Sequence, residues 1–204
     1  ERISVLIKEM HHRVKNNLQV VASLLRLQAA SFNDERLVHA FDESQSRVMS
    51  MALIHEKLYK GDELASVDVA LYIQELFADL IAVNDVEDRV SPRTDIDPGL
   101  VFGLNTMVPL GLLLNELITN SFKHAFVGRS AGVVRLSIHR VDADNFHLEY
   151  GDDGVGIPLD KIQSDGSSLG VSLIESLVEQ LNGRMTVDGG ADGTSYHIRF
   201  VARA

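Results

Sequence analysis

Cysteine is absent from the 204 residues, which removes both a disulfide framework and a thiolate metal site. Its absence suits a reducing cytoplasm. Positive charge is scarce too: 19 basic side chains face 29 acidic ones, for a formal charge of −10. That balance argues against a nucleic-acid or anionic-membrane surface and favours solubility. Long apolar runs are also missing. The longest, Met107 to Leu114, is interrupted by Pro109 and falls far short of the roughly 20 residues that span a bilayer. No signal peptide, internal repeat or low-complexity stretch is visible. The chain opens at Glu1 in mid-pattern, without methionine or a capping sequence, so it reads as a fragment of something longer, upstream of which a sensor or membrane segment could lie.

What is present is enough apolar material, 45% of residues, for one or two domains with buried cores. Ile3, Ile7, Met10, Val14, Val21 and Leu24 recur in helical steps, and Leu37, Phe41, Val48, Met51 and Leu58 repeat the pattern. Ser31-Phe32-Asn33-Asp34 supplies turn and cap residues between them, so residues 2–60 read as an antiparallel helical hairpin. Two helices bury too little alone; a second copy in a four-helix bundle, or the rest of the chain, would complete the core. Gly61-Asp62 ends this pattern, and the boundary is expected near residue 63. Beyond it the spacing predicts a helix over 69–83 capped by Asp68, a strand over 89–95, and a helix over 107–125 capped by Thr106. A strand hairpin over 132–141 and 146–151 follows, then a helix over 169–182 ending at Gly183, and strands over 184–188 and 194–201.

The most informative chemistry lies in Glu116-Leu117-Ile118-Thr119-Asn120-Ser121-Phe122-Lys123-His124 and, downstream, Asp152-Asp153-Gly154-Val155-Gly156. On a helix, positions 116, 120 and 123 or 124 recur three and four apart, so a carboxylate, an amide, an ammonium and an imidazole share one face. Leu113, Leu114, Leu117 and Ile118 would anchor the other face in a core. A nucleoside triphosphate needs a cation to screen its phosphates, donors for their oxygens and something specific for its base. The amide oxygen of Asn120 suits magnesium, while Lys123 and His124 can donate to phosphate. Asp152 can accept from an exocyclic amine such as that of adenine, with Gly154 and Gly156 keeping the wall thin. Ser168-Leu169-Gly170 opens the next helix, whose N-terminal amides suit phosphate.

In this order the blocks resemble the Asn box and glycine boxes of the GHKL (Bergerat-type) ATP-binding fold of sensor histidine kinases. His11-His12-Arg13-Val14-Lys15-Asn16-Asn17-Leu18-Gln19 resembles the phosphoacceptor box of the HisKA-2 and HWE-related bacterial subgroup. The resemblance covers nearly the whole chain. It implies His12 as the phosphorylated residue, Asn120 with Glu116 as the Asn box, and Asp152, Gly154 and Gly156 as the first glycine box. Gly170 falls in the second glycine box, and Thr194 after Gly193 matches a late pair near the nucleotide. The implied fold is α+β: a dimerisation and phosphotransfer hairpin over 1–62, a hinge near Gly61, and an ATP-binding α/β sandwich over 63–204. The implied activity is autophosphorylation of His12 with ATP and Mg2+, then phosphoryl transfer to an aspartate of a response-regulator receiver domain. A homodimer through the hairpin is implied, with a monomer as the alternative. One rival is a non-catalytic phosphorelay or scaffold protein with a degenerate ATP domain, against which intact Asn120, Asp152 and Gly156 argue. Another is a GHKL ATPase, which leaves the hairpin and its His12 unexplained.

Helix geometry bears on the acceptor separately. At about 100° per residue, His12 lies nearly opposite the seam set by Met10 and Val14, while His11 lies near its edge. Lys8, His12, Lys15 and Gln19 follow at four, three and four residues, setting the imidazole between two ammonium groups that favour its neutral, nucleophilic form. Adjacent His11 and His12 diverge too far to share a metal, and His39, His55, His139, His147 and His197 form no evident ligand cluster. Glu116 has three readings: orienting water as in ATP-hydrolysing relatives, positioning or deprotonating the imidazole, or a helix salt bridge. Arg13 stands where the commoner kinases carry an acidic residue, so Glu9 and Glu116 are both candidate bases. Ser168 replaces a common glycine, and Pro158 to Ser168 is short for an ATP lid.

Overall fold

A computed structural model describes residues 2–31, 33–58, 66–157 and 169–202; within these, the side chains of 2–8, 10–12, 53, 57, 58 and 169 fall outside the description. The chain divides into two compact units, Glu1–Leu64 and Ala65–Ala204. The expected break at Gly61 lies outside the described residues.

The first unit is a hairpin of α1 (Arg2–Ala29) and α2 (Glu35–Leu58). Asp34 starts α2 by accepting the Arg36 amide at 2.9 Å, satisfying one of the donors that a helix start leaves open. Along α1 the residues turned inward are Val14, Leu18, Ala22, Leu25 and Ala29, in steps of four, four, three and four. On α2, Ala52 and Ile54 are buried and Phe41 and Val48 half-buried, and Lys15 Nζ reaches Glu56 Oε2 at 2.7 Å. This differs from the expected seam: Val21, Leu24 and Leu37 are exposed, as are Val20 and Leu27. The apolar residues of α1 form two stripes, and α2 packs on the one whose alanines 22 and 29 let two backbones approach. Periodicity alone does not separate the two.

The second unit pairs five strands in the order β2-β4-β5-β7-β6, with β2 parallel to β4 and the rest antiparallel. In chain order it runs β1 (Val67–Asp68), α3 (Val69–Asn84), β2 (Val90–Ile96), β3 (Val101–Phe102), α4 (Leu104–Asn120), a π-helical turn (Ser121–Ala125), β4 (Gly132–Arg140) and β5 (Asn145–Asp152). Then come α5 (Leu169–Gln180), β6 (Arg184–Gly190) and β7 (Gly193–Val201). Strand alternation decides the layering. Val134, Leu136, Ile138, Phe146, Leu148, Tyr150, Tyr196, Ile198 and Phe200 are buried on one face, whereas Arg135, Glu149 and Arg199 are exposed on the other. Helices α3 and α4 bury Ile73, Phe77, Met107, Leu110, Leu114 and Ile118 in that core, giving a two-layer α+β sandwich. Phe102, Phe146 and Phe200 meet at centroid separations of 4.8, 5.9 and 5.7 Å.

Asp68 caps α3 as expected, accepting the Leu71 amide at 2.9 Å. Thr106 does not cap α4: the helix starts at Leu104 after Gly103, placing Thr106 buried in its first turn. The small antiparallel ribbon of β1 and β3 turns the chain there, and it is too short to leave a periodic signal. At the end of α5 the left-handed residue is Asn182, with φ 50°, rather than Gly183. Among the described residues, no helix is long and apolar enough to cross a membrane.

Candidate functional site

Helix α4 sets the first part of the site. Leu110, Leu113, Leu114, Leu117 and Ile118 are buried to 1% exposure or less, which fixes the helix and the polar residues it presents. Glu116 is itself buried, at 4% exposure, and Asn120, one turn later, is half-buried. Regular α-helix stops at Asn120, and Ser121–Ala125 form a wider π turn. Lys123 and His124 therefore leave the row expected for a continuous helix, and both are exposed.

That π turn is where the two sequence blocks meet. Ser121 Oγ donates to Asp152 Oδ2 at 2.7 Å, and the Val155 amide donates to the Ala125 carbonyl at 2.8 Å. A Cβ at Gly154 would lie 2.3 Å from the Ala125 oxygen, so the glycine is needed for this close approach. Gly156, with φ +72°, leaves no room either: a Cβ would fall 1.6 Å from the Gly190 carbonyl oxygen. The two adjacent aspartates part ways. Asp153 is held to β4 by accepting the Val133 amide at 2.7 Å, while its carbonyl accepts from Arg129. Asp152, at the end of β5, is 8% exposed and takes Ser121 on one oxygen and the Gly154 amide, at 3.1 Å, on the other.

Thr194 lies directly across from Asp152 on β7, is 3% exposed, and accepts the Ile157 amide at 3.1 Å, so it pins the end of the glycine turn. Two phenols flank the same place. Tyr150 donates to Ser121 Oγ at 2.9 Å, and burial drives its ionisation far above the ordinary value. Tyr196, across the strand pair, is pushed up to about 12 by burial and then by the Asp152 charge. Ser121 and Tyr150 are absent from the expected site. The signal for Tyr150 is its place two residues before Asp152, on the same strand face. Ser121 carries no signal beyond its adjacency to Asn120.

Other expected residues are not brought into this group by any described contact. Gly170 is buried in the first turn of α5, the backbone of Leu169 begins that helix, and Ser168 and the lid segment 158–168 lie outside the described residues. His12 lies in α1 and its side chain is outside the described set. The side chains of His11 and Met10 lie outside that set as well, so the expected outward face of His12 falls outside the described residues. Of the two flanking lysines, Lys15 pairs with Glu56 and the side chain of Lys8 lies outside the described set. Glu9 is paired with Arg13 at 2.7 Å.

Residues 9–84 match the HisKA_2 histidine kinase family, and residues 106–204 match the histidine kinase-, DNA gyrase B- and HSP90-like ATPases. The chain is similar to Blue-light-activated histidine kinase 2 of Erythrobacter litoralis, 27% identical over 94% of this chain and 56% of that protein. It is also similar to sensor histidine kinase PdtaS of Mycobacterium tuberculosis, 34% identical over 95% of this chain and 38% of that protein. It thus spans between 38% and 56% of the length of these curated relatives. In fold it is similar to the histidine kinase domain of the Erythrobacter litoralis EL346 blue-light activated kinase. The TM-score is 0.66 at 20% identity, covering 91% of this chain and 95% of that one. The chain belongs to the histidine kinases of two-component signalling, in the HisKA-2 and HWE-related subgroup with a GHKL-type ATP-binding domain.

Proposed function

We propose that this chain is the catalytic core of a sensor histidine kinase, in which residues 63–204 bind ATP and residues 1–62 carry the acceptor His12. The phosphoryl group then passes to an aspartate of a response-regulator receiver domain. The observation that carries the reading is the junction of the Asn120 turn with the Asp152 glycine turn, made by Ser121–Asp152 and Ala125–Val155 hydrogen bonds. It supports one nucleotide pocket assembled from segments thirty or more residues apart in the chain.

In that pocket Asp152 accepts from the adenine amine, and Gly154 and Gly156 keep the wall close to backbone thickness. Thr194 holds the turn that ends at Ile157. Lys123, His124 and the first amides of α5, at Leu169 and Gly170, are the phosphate donors. For magnesium, the half-buried amide oxygen of Asn120 and the nearby buried carboxylate of Glu116 are hard donors. An ion held there would take its remaining ligands from phosphate and water. When bound, the ion neutralises phosphate charge.

The neutral His12 imidazole attacks the γ-phosphorus as the bond to the β-phosphate oxygen breaks; ADP leaves and the ring gives up a proton. Glu9, which also pairs with Arg13, and Glu116, buried on α4, are the candidate bases. The exposed stripe of Val20, Val21, Leu24 and Leu27 on α1, with Leu37 on α2, supports a second copy completing a four-helix bundle. Dependence on ATP and on a receiver domain supports a cytoplasmic location for this core.

The test is incubation with γ-labelled ATP and magnesium. Acid-labile, alkali-stable label is expected in the wild type, lost in His12→Gln and Asn120→Asp, and retained in part in His11→Gln. Full labelling of His12→Gln would overturn the acceptor.

A further inference from the structure

We propose that Ser121 and Tyr150 are positioning residues that act through Asp152 to make the pocket select a 6-amino purine over a 6-oxo purine. This rests on the ATP-binding reading above and specifies how that site reads its base.

The polarity of the network is fixed by chemistry. Asp152 as a carboxylate has no hydrogen to give, so the Ser121 hydroxyl, 2.7 Å from Oδ2, must spend its only hydrogen there. Ser121 Oγ then has lone pairs alone for Tyr150, whose hydroxyl is 2.9 Å away, so Tyr150 donates. The relay runs one way, from Tyr150 through Ser121 to Asp152. Tyr150 is fully buried and Ser121 is 4% exposed, so water does not substitute readily for either partner. Burial also keeps the phenol protonated, hence a donor, well past neutral pH.

Asp152 is thereby gripped from two sides, by Ser121 of the π turn on Oδ2 and by the Gly154 amide on Oδ1. Its orientation is set before any ligand arrives, and the lone pairs left over form an acceptor-only wall. A purine 6-amino group donates to such a wall. A 6-oxo group presents lone pairs to lone pairs and leaves the buried carboxylate unmatched, the kind of mismatch that discriminates strongly. Without the hydroxyl anchor the carboxylate can swing or admit water, and the penalty against the 6-oxo base falls.

The test compares the affinities of the intact chain for ATP and for inosine triphosphate, which differ at that position, by titration calorimetry in the wild type, Ser121→Ala and Tyr150→Phe. The wild type is expected to prefer ATP by about 100-fold or more. Ser121→Ala should narrow that ratio by about tenfold, chiefly through weaker ATP binding, and Tyr150→Phe by about threefold. If both nucleotides weaken equally in Ser121→Ala, the hydroxyl is structural only and the proposal fails. If Ser121→Ala melts below the assay temperature, Tyr150→Phe decides, and an unchanged ratio there overturns the proposal. A wild type that binds both nucleotides equally overturns the selection while sparing the nucleotide site. One that binds neither overturns the ATP-binding reading and this proposal with it.

Discussion

The hairpin and the sandwich treat their apolar side chains differently. Among its described residues the hairpin fully buries only Ala22, Ala29, Ala52 and Ile54, and leaves Val20, Val21, Leu24 and Leu27 exposed on one side of α1. The sandwich encloses Phe102, Phe146, Phe200 and Leu110, Leu113, Leu114 and Leu117 of α4 to 2% exposure or less. A self-sufficient core can hold hydrogen-bond acceptors and donors to within tenths of an ångström, which a nucleotide site requires. A two-helix unit with an open apolar stripe is suited instead to meeting other molecules.

The comparison breaks most visibly in the sandwich core. Phe146→Ala removes a ring packed against both Phe102 and Phe200, and chemical denaturation should show a loss of about 3–5 kcal/mol. A loss below about 1 kcal/mol would mean the aromatic cluster is not the keystone. Next in size is Gly156→Ala, which meets a carbonyl at 1.6 Å in a conformation with φ +72°. Strain of about 3 kcal/mol at the turn should weaken ATP binding roughly 100-fold, seen by calorimetry, while far-ultraviolet circular dichroism of the helices stays unchanged.

On the hairpin the expectation reverses. Leu24→Gln, at an exposed site, should change unfolding free energy by no more than about 0.5 kcal/mol yet weaken self-association about tenfold in sedimentation equilibrium. Equal masses for wild type and variant at every concentration would show that the stripe does not pair two copies.

The smallest effect belongs to the open face of the sheet. His139 Nδ1 lies 2.9 Å from Asp97 Oδ1, and this hydrogen bond, with carboxylate charge nearby, holds the imidazole above its ordinary 6.5. Asp97 is held below its ordinary 3.8, first by the Arg140 amide and then by His139. A raised histidine stabilises fully below 6.5 and loses that contribution as pH climbs through its folded value; a lowered aspartate stabilises fully above 3.8 and loses it on acidification. The melting temperature of Asp97→Asn should therefore trail the wild type most at about pH 5 and least at about pH 9, by a few degrees at most. A gap that widens with alkali would contradict the pairing.

How much of this was legible depended on whether a feature repeats. The long amphipathic helices and alternating strands announced themselves, and α3 with its Asp68 cap fell close to where the pattern put it. The choice of seam on α1 did not, because two apolar stripes satisfy one period and only side-chain size separates them. The β1–β3 ribbon and the π turn are local departures, two and five residues long, with no period to read. In the candidate site, Asn120, Asp152 and the glycines stood out by residue type and order. Ser121 and Tyr150 did not, because a hydroxyl acquires meaning only when tertiary structure places Asp152 beside it.

The central claim, that nucleotide held by one unit phosphorylates the other, is tested most directly by locating the phosphoryl group. After incubation with ATP and magnesium, tandem mass spectrometry at neutral pH should find it on His12 in the wild type and nowhere in Asn120→Asp. A phosphoryl group found on another residue of the hairpin, or equally abundant in Asn120→Asp, would contradict the account.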